Sequence, residues 1–329
     1  MERTPVSFGP GVFYIYGGIM IEKPFKTYDE QIQLLINRGI VISTSEQKSF
    51  AKKTLQREGY YNLINGYSKL FLDAPEHYKS GTTLTELFAL YTFDTKLREI
   101  FLHYILHLET NIKSLISYYF PQKHRESNYL VFTNFDTGKR NSNENISNLI
   151  AEIQRQIAAH ASDPNISHYL TKYGYVPIWV LNNILTIGTV SKFYSLMLQD
   201  ERQSISKTFH ITDKELESSL FYISAIRNFC AHGNRLYCYR SKRPLCSLNL
   251  HELMNIPIEK DEFSFGKRDL FAALIVLKLT LSQKEFRKLV KEIDIAIKNL
   301  NKRITVISQN EVLESMGFPK DWKELVLTI

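Results

Sequence analysis

The sequence predicts an all-helical protein, and three observations carry that expectation. Apolar residues recur at three- and four-residue steps over two long stretches, residues 84–119 and 268–303, the repeat that turns one face of a helix towards a core. Only 14 Gly and 10 Pro punctuate 329 residues, too few for the tight turns of an all-β chain. No segment alternates apolar and polar residues strongly enough to compete, residues 304–308 making at most a minor extended piece. With 44% apolar residues, a chain of this length can bury a sizeable core in one large domain or two small ones.

Residues 1–22 are expected to form an extension or arm outside the core. The opening MERTPVSFGPGVFYIYGGI is rich in Gly and aromatics and lacks the basic start and long apolar run of a secretory signal, while Met20 makes a natural start. Residues 23–82 predict a small N-terminal helical subdomain. Thr27, followed by Asp29 and Glu30, opens a capped helix that Gly39 stops, and a second Ser/Thr cap opens residues 44–57. After Gly59, YYNLINGYSKLFL predicts a short aromatic helix broken near Gly66, and residues 73–82 a polar loop.

Residues 83–303 predict the main helical domain. Leu87, Leu90, Leu97, Phe101, Tyr104, Leu108, Ile112, Leu115 and Tyr119 line one face of a single long helix ended by Pro121. Asp94 and Asn111 fall on or beside that face, and Arg98 stands four residues beyond Asp94, the spacing of an intrahelical ion pair. Residues 121–145 are polar and predict a surface loop, and residues 146–160 return to a helical pattern. Pro177 opens PIWVLNNILTIGTVSKFYSLM, interrupted near Gly188. Residues 213–231 form a helix capped by Thr212 or Asp213, residues 233–265 are less regular, and residues 304–329 are read as a C-terminal tail.

Lys and Arg outnumber Asp and Glu by 41 to 34, and the net charge of +7 favours anionic partners such as nucleic acid; charge alone fits a mildly basic protein without one equally well. The cysteines, at 230, 238 and 246, are odd in number and form no C-x-x-C pair. That argues against a disulfide framework and for a reducing, cytoplasmic compartment. Their steps of eight lack paired ligand spacing, so neither a metal nor another cofactor is expected. No apolar run reaches transmembrane length, so no membrane partner is expected.

The segment Ile226-Arg227-Asn228-Phe229-Cys230-Ala231-His232-Gly233 carries the chemistry. On a helical wheel Arg227 shares a stripe with Leu216, Leu220 and Ile223, where a guanidinium needs an anionic partner: a carboxylate such as Asp94 or Glu109, or a bound phosphate. Asn228 and His232, four apart, share another face, and Gly233 ends the helix just after His232. A helix C-terminus favours a protonated imidazole, which suits a group that gives and takes protons. An Arg five residues before a His also arises by chance, and an internal ion pair with a helix-end His meets the same pattern. Basic runs at Lys52-Lys53, Lys139-Arg140, residues 240–243 (Arg240, Lys242 and Arg243) and residues 298–303 are either phosphate contacts or solvated faces. Tyr237 and Tyr239 are candidates to stack on unpaired bases; for Tyr60 and Tyr61 core packing is expected.

The flanks make the pattern far more specific. R-N-F-C-A-H fits the R-x4-H motif of HEPN ribonucleases, with Asn228 in the polar second position. KPFKTYDEQIQLLINRGI, EGYYNLINGYSKLF, LYTFDTKLREIFLHYILHLETNIKS, PIWVLNNILTIGTVSKFYSLM and IRNFCAHGNRLY, in that order over about residues 23–240, resemble the Abi family of bacterial abortive-infection proteins, the AbiD/AbiF-like group. That resemblance implies a HEPN-type helical bundle working in phage defence as a toxin-like endoribonuclease. It implies two chains paired so that their motifs face each other, and association with a small noncoding RNA in some members. It implies Arg227, His232 and Asn228 as catalytic residues and Arg235 as a further RNA contact, a position that a plain surface arginine would fill equally well. Asp94, Arg98 and Glu109, on the long helix expected to pack against the motif helix, are read as support for Arg227 or as internal ion pairs. Some members carry a second His after the motif His; this chain has Gly233 there, leaving one motif histidine per chain and giving a two-chain site more weight. The alternative is a regulatory HEPN protein that binds a noncoding RNA without cutting it.

Overall fold

The computed structural model describes residues 24–125 and 129–328, and the backbone of residues 15–16 and 19–20, which pair as antiparallel strands β1 (Ile15–Tyr16) and β2 (Ile19–Met20). The remainder of the expected arm lies outside the described residues. The chain is an all-α helical bundle, and among the described residues strand is confined to short two-stranded hairpins. It divides into two compact units, residues 1–88 and 89–329.

In the first unit, helices α1 (Tyr28–Asn37) and α2 (Ser45–Glu58) begin at capping boxes, Thr27 with Glu30 and Thr44 with Gln47. They bury Ile32 and Leu35, and Ala51 and Leu55. The aromatic run that follows is not a regular helix. It is a wide π-type turn at Tyr61–Asn65 and a 3-10 turn at Ser68–Phe71, which together bury Leu63, Ile64, Tyr67 and Phe71. Tyr61 is 77% exposed, correcting the expectation that it packs in the core; Tyr60 is half-buried and accepts a hydrogen bond from Arg38 Nη1 at 3.2 Å. The expected polar loop holds a hairpin, β3 (Leu72–Ala74) and β4 (His77–Tyr78), turned through Glu76 at φ 62°.

Helix α3 spans Leu84–Lys123 and buries the predicted stripe from Leu87 to Ile112; beyond it Leu115 and Tyr119 are only half-buried and Ile116 and Phe120 take the inward positions. Pro121 does not end it: Pro121 stands in the last turn, which still closes through His124 N–H to the Phe120 carbonyl at 3.0 Å. Helix α4 (Ser142–Ala159) starts earlier than its apolar pattern, and α5 (Pro164–Tyr173), a helix beyond those expected, opens at Pro164, ends at Gly174 and carries Ile166, Tyr169, Leu170 and Tyr173 at helical spacing. The helix expected from Pro177 is two, α6 (Ile178–Leu181) and α7 (Ile187–Leu196). The break falls before Gly188, where Asn182 Nδ2 donates to the Lys113 carbonyl (3.0 Å) and Ser117 Oγ (2.7 Å) of α3 and Thr186 caps α7. A short polar helix, α8 (Gln199–Ser206), precedes α9 (Asp213–Ala231), whose predicted start is set by a Thr212–Glu215 capping box.

After α9 come α10 (Asn249–Leu253) and a hairpin of β5 (Ile258–Glu259) and β6 (Glu262–Phe263). The stretch from 268 to 303 holds two helices, α11 (Leu270–Thr280) and α12 (Gln283–Asn301), separated where Ser282 caps the second. Alpha-11 is buried nearly all round, so it reads as amphipathic only when joined to its neighbour. The stretch expected as a tail contains α13 (Gln309–Met316) and α14 (Trp322–Thr328), which bury Val312, Leu313, Met316, Trp322 and Val326. Among the described residues no helix is long and apolar enough to cross a membrane.

Asp269 caps α11, its carboxylate accepting from Gly266 and Ala272 N–H groups at 3.0–3.1 Å. Burial nonetheless pushes its pKa up to about 6. The folded value exceeds the unfolded one, so the charged form costs stability at neutral pH and that cost is relieved as pH falls from about 6 towards 4. Glu201, pushed by burial to about 7, acts with the same sign. Denaturant unfolding is expected to show greater stability at pH 5.5 than at pH 7.5, and Asp269→Asn, an equally good helix cap, should flatten that rise.

Candidate active site

Helix α9 packs against α7, α8 and α11, and its C-terminal turn carries Arg227, Asn228 and His232. Leu216, Leu220, Ile223, Ile226 and Cys230 anchor it in the core. His232 is the C-cap, its N–H donating to the Asn228 carbonyl at 3.0 Å. Gly233 follows at φ 68°, and the turn closes with Gly233 N–H to Cys230 O and Asn234 N–H to Phe229 O, both 3.1 Å. A Cβ on Gly233 would meet nothing within 4 Å, so its requirement is conformational rather than steric. Gly233→Ala is expected to destabilise the fold by about 1–2 kcal/mol, with Gly233→Asn milder, as denaturant midpoints would show. His232 and Asn228 are both exposed on this turn. Cys230 is buried and its thiol pushed up to about 12 by desolvation, which leaves it unreactive.

Arg227 is partly buried. Its Nε lies 3.9 Å from Glu109 Oε2 on α3, an ion-pair distance too long for a hydrogen bond, and both atoms are buried without a hydrogen-bond partner. The other carboxylate oxygen is 2.7 Å from Lys113 Nζ. One carboxylate is therefore shared between two cations, and the local excess of positive charge is what a phosphate would complete. Of the two partners open to Arg227 in the sequence, Glu109 is the one beside it. Sequence reasoning missed Lys113, although its i, i+4 spacing from Glu109 was there to find.

Asp94 and Arg98 do something else. Asp94 is fully buried; Oδ1 accepts from Tyr237 N–H at 2.7 Å and Oδ2 from Leu236 N–H at 3.2 Å, while Arg98 Nη1 lies 2.5 Å from Oδ2. Arg98 also donates to the Asn234 carbonyl at 3.3 Å and to Thr95 Oγ1 at 2.9 Å. The pair clamps residues 234–237, immediately after His232, onto the long helix.

Tyr237 is 2% exposed, so it has no face to offer a base; the stacking expectation is corrected by its burial, as is that for Tyr239, which packs edge-on to Phe229 with ring centroids 4.9 Å apart. Arg235 and Lys242 are exposed. Arg240 donates to the carbonyls of Tyr239 (2.8 Å), Ser315 (2.9 Å) and Glu314 (3.2 Å), and the Arg243 guanidinium lies 4.4 Å over the Phe221 ring. Elsewhere basic side chains are spent internally: Lys52 on Asp29, Lys139 on Glu217 and the Ser195 carbonyl, Lys298 on Asp294.

Two helices thus bring a guanidinium, a shared carboxylate and an exposed imidazole to one helix end, within an all-helical protein. A family model described as Abi-like protein matches residues 53–238, more than half of the chain and ending just past this turn. The chain belongs to the Abi-like family. No curated protein and no solved structure matches it.

Proposed function

We propose that the protein serves abortive infection as a metal-independent HEPN endoribonuclease acting on RNA through Arg227 and His232. The observation that carries the reading is Arg227 Nε, buried without a hydrogen bond 3.9 Å from Glu109, on the same helix end as exposed His232. An under-bonded guanidinium beside a titratable group at the surface is suited to a phosphodiester.

RNA supplies its own nucleophile. One His232 takes the proton from the 2′-OH as the oxygen attacks the adjacent phosphorus. The P–O5′ bond breaks, and the partner subunit's His232 gives a proton to the leaving 5′ oxygen. Arg227 holds the non-bridging oxygens as charge develops on them, and Asn228, exposed beside His232, orients the imidazole or the phosphate. The products are a 2′,3′-cyclic phosphate and a 5′-OH. A two-fold homodimer supplies the second imidazole, since each chain has one in the motif.

The test uses purified protein, a single-stranded RNA and a DNA of the same sequence, with EDTA present. RNA is expected to be cut and DNA left whole. RNA that co-purifies and stays uncut with or without a divalent ion would favour the alternative, a binding protein for a small noncoding RNA. Strict dependence on a divalent ion would point to different chemistry.

A further inference from the structure

The basic run at residues 240–243 meets a second one that is distant in sequence. Ser241 N–H donates to the Arg268 carbonyl (2.7 Å), Leu245 N–H to the Lys267 carbonyl (2.8 Å), and Arg268 Nη1 to the Lys242 carbonyl (2.6 Å). These bonds gather Arg240, Lys242, Arg243, Lys267 and Arg268 on one part of the surface. Beside them opens a cleft of about 480 Å³, lined by the cations Arg240, Lys267 and Arg268, by Phe263, Phe265 and Phe318, and by the acidic residues Glu262, Asp269 and Glu314.

The cations of the cleft are under-compensated. Lys267 is only 7% exposed, yet its ammonium meets just the Ser247 hydroxyl, at 3.1 Å, and no carboxylate lies within ion-pair distance among the described residues. A buried ammonium with one neutral partner has not recovered its hydration. Arg268 has one carbonyl and a loose contact with exposed Glu262 at 3.7 Å. Arg240 is fixed by three carbonyl acceptors, leaving two of its five N–H groups. Of the nearby carboxylates, that of Asp269 is committed to backbone N–H groups. The rest of the lining mixes Phe263, Phe265 and Phe318 with Ser264, Gly317, Pro319 and the exposed Glu314, and the volume suits a planar ring with a charged group attached.

We propose that this cleft binds a nucleotide, with the phosphate on Arg240, Lys267 and Arg268 and the base against the phenylalanines. The nucleotide is either one unit of an RNA chain or a free mononucleotide. Only the RNA arm rests on the ribonuclease reading above.

The experiment uses the full-length chain with His232→Ala, so that a probe stays whole, and two probes: adenosine 5′-monophosphate by calorimetry and a fluorescein-labelled 12-nucleotide single-stranded RNA by anisotropy. Arg268→Ala is expected to weaken binding about tenfold and to make the salt dependence of RNA binding shallower by about 0.7 in log–log slope. Lys267→Met should act in the same direction, and Lys284→Ala, at an exposed position of α12, should change nothing. Loss of monophosphate binding in Arg268→Ala supports a site for a free nucleotide; loss confined to the RNA probe supports an RNA subsite. RNA binding unchanged by both cleft substitutions, with no monophosphate binding, overturns the cleft and leaves the ribonuclease reading standing. Monophosphate binding that Arg268→Ala abolishes, in a wild-type chain that cuts no RNA, keeps the cleft and removes that reading. Failure of both probes to bind the unsubstituted cleft overturns it.

Discussion

His232→Ala should reduce RNA cleavage by at least about 10²–10⁴-fold, the range expected for losing one proton-transfer group. In the proposed dimer the substitution removes both imidazoles at once, so the loss should sit at the upper end. Stability should barely change: the side chain is exposed, and its contribution to the helix end comes from its backbone N–H, which alanine retains. Arg227→Ala should also abolish cleavage, while leaving Glu109 with Lys113 as a pair. Single-turnover cleavage rates beside denaturant midpoints separate the two kinds of effect. Full-rate cleavage by His232→Ala would remove the catalytic assignment outright.

The largest expected effect on folding belongs to Asp94. Its carboxylate, with no exposed surface, accepts two backbone N–H groups and faces a guanidinium with little exposure of its own. Replacing it with alanine orphans two buried donors and leaves Arg98 without its carboxylate. Breaking a buried pair from one side typically costs about 3–5 kcal/mol. Asp94→Asn keeps an acceptor for one N–H group and should lose less. Because the clamp holds residues 234–237, both variants should also lose cleavage beyond what partial unfolding explains, through displacement of the turn that carries His232. A loss of less than about 1 kcal/mol in Asp94→Ala, measured by denaturant titration, would show that the clamp is not what holds that turn.

What was legible in the sequence was what local chemistry decides. Thr212 with Glu215 and Gly233 fixed both ends of α9, and the apolar stripe of α3 was readable because its repeat runs unbroken for nine turns or so. The polar helix α8 was missed because Ile205 is its one apolar residue, whereas α5 was legible from Pro164, Gly174 and the spacing of Ile166, Tyr169, Leu170 and Tyr173, and was overlooked because it is only ten residues long. The helices α13 and α14 are short, and their burial depends on α11, α12 and neighbours that no local window contains. The same limit governs the site. Arg227 and His232 share a helix and could be read together. That Asp94 would clamp Leu236 and Tyr237 depends on contacts spanning 142 and 143 residues. Tyr237 looked like a stacking platform because it follows the motif; only the packing beneath that turn decides that it points inward.

The most direct measurement is the chemistry of the ends left when the wild-type protein cuts RNA in the presence of EDTA. A 2′,3′-cyclic phosphate upstream and a 5′-hydroxyl downstream, both absent with His232→Ala, are the predicted result. A 5′-phosphate with a 3′-hydroxyl, or the same cyclic ends at an undiminished rate from His232→Ala, would contradict it.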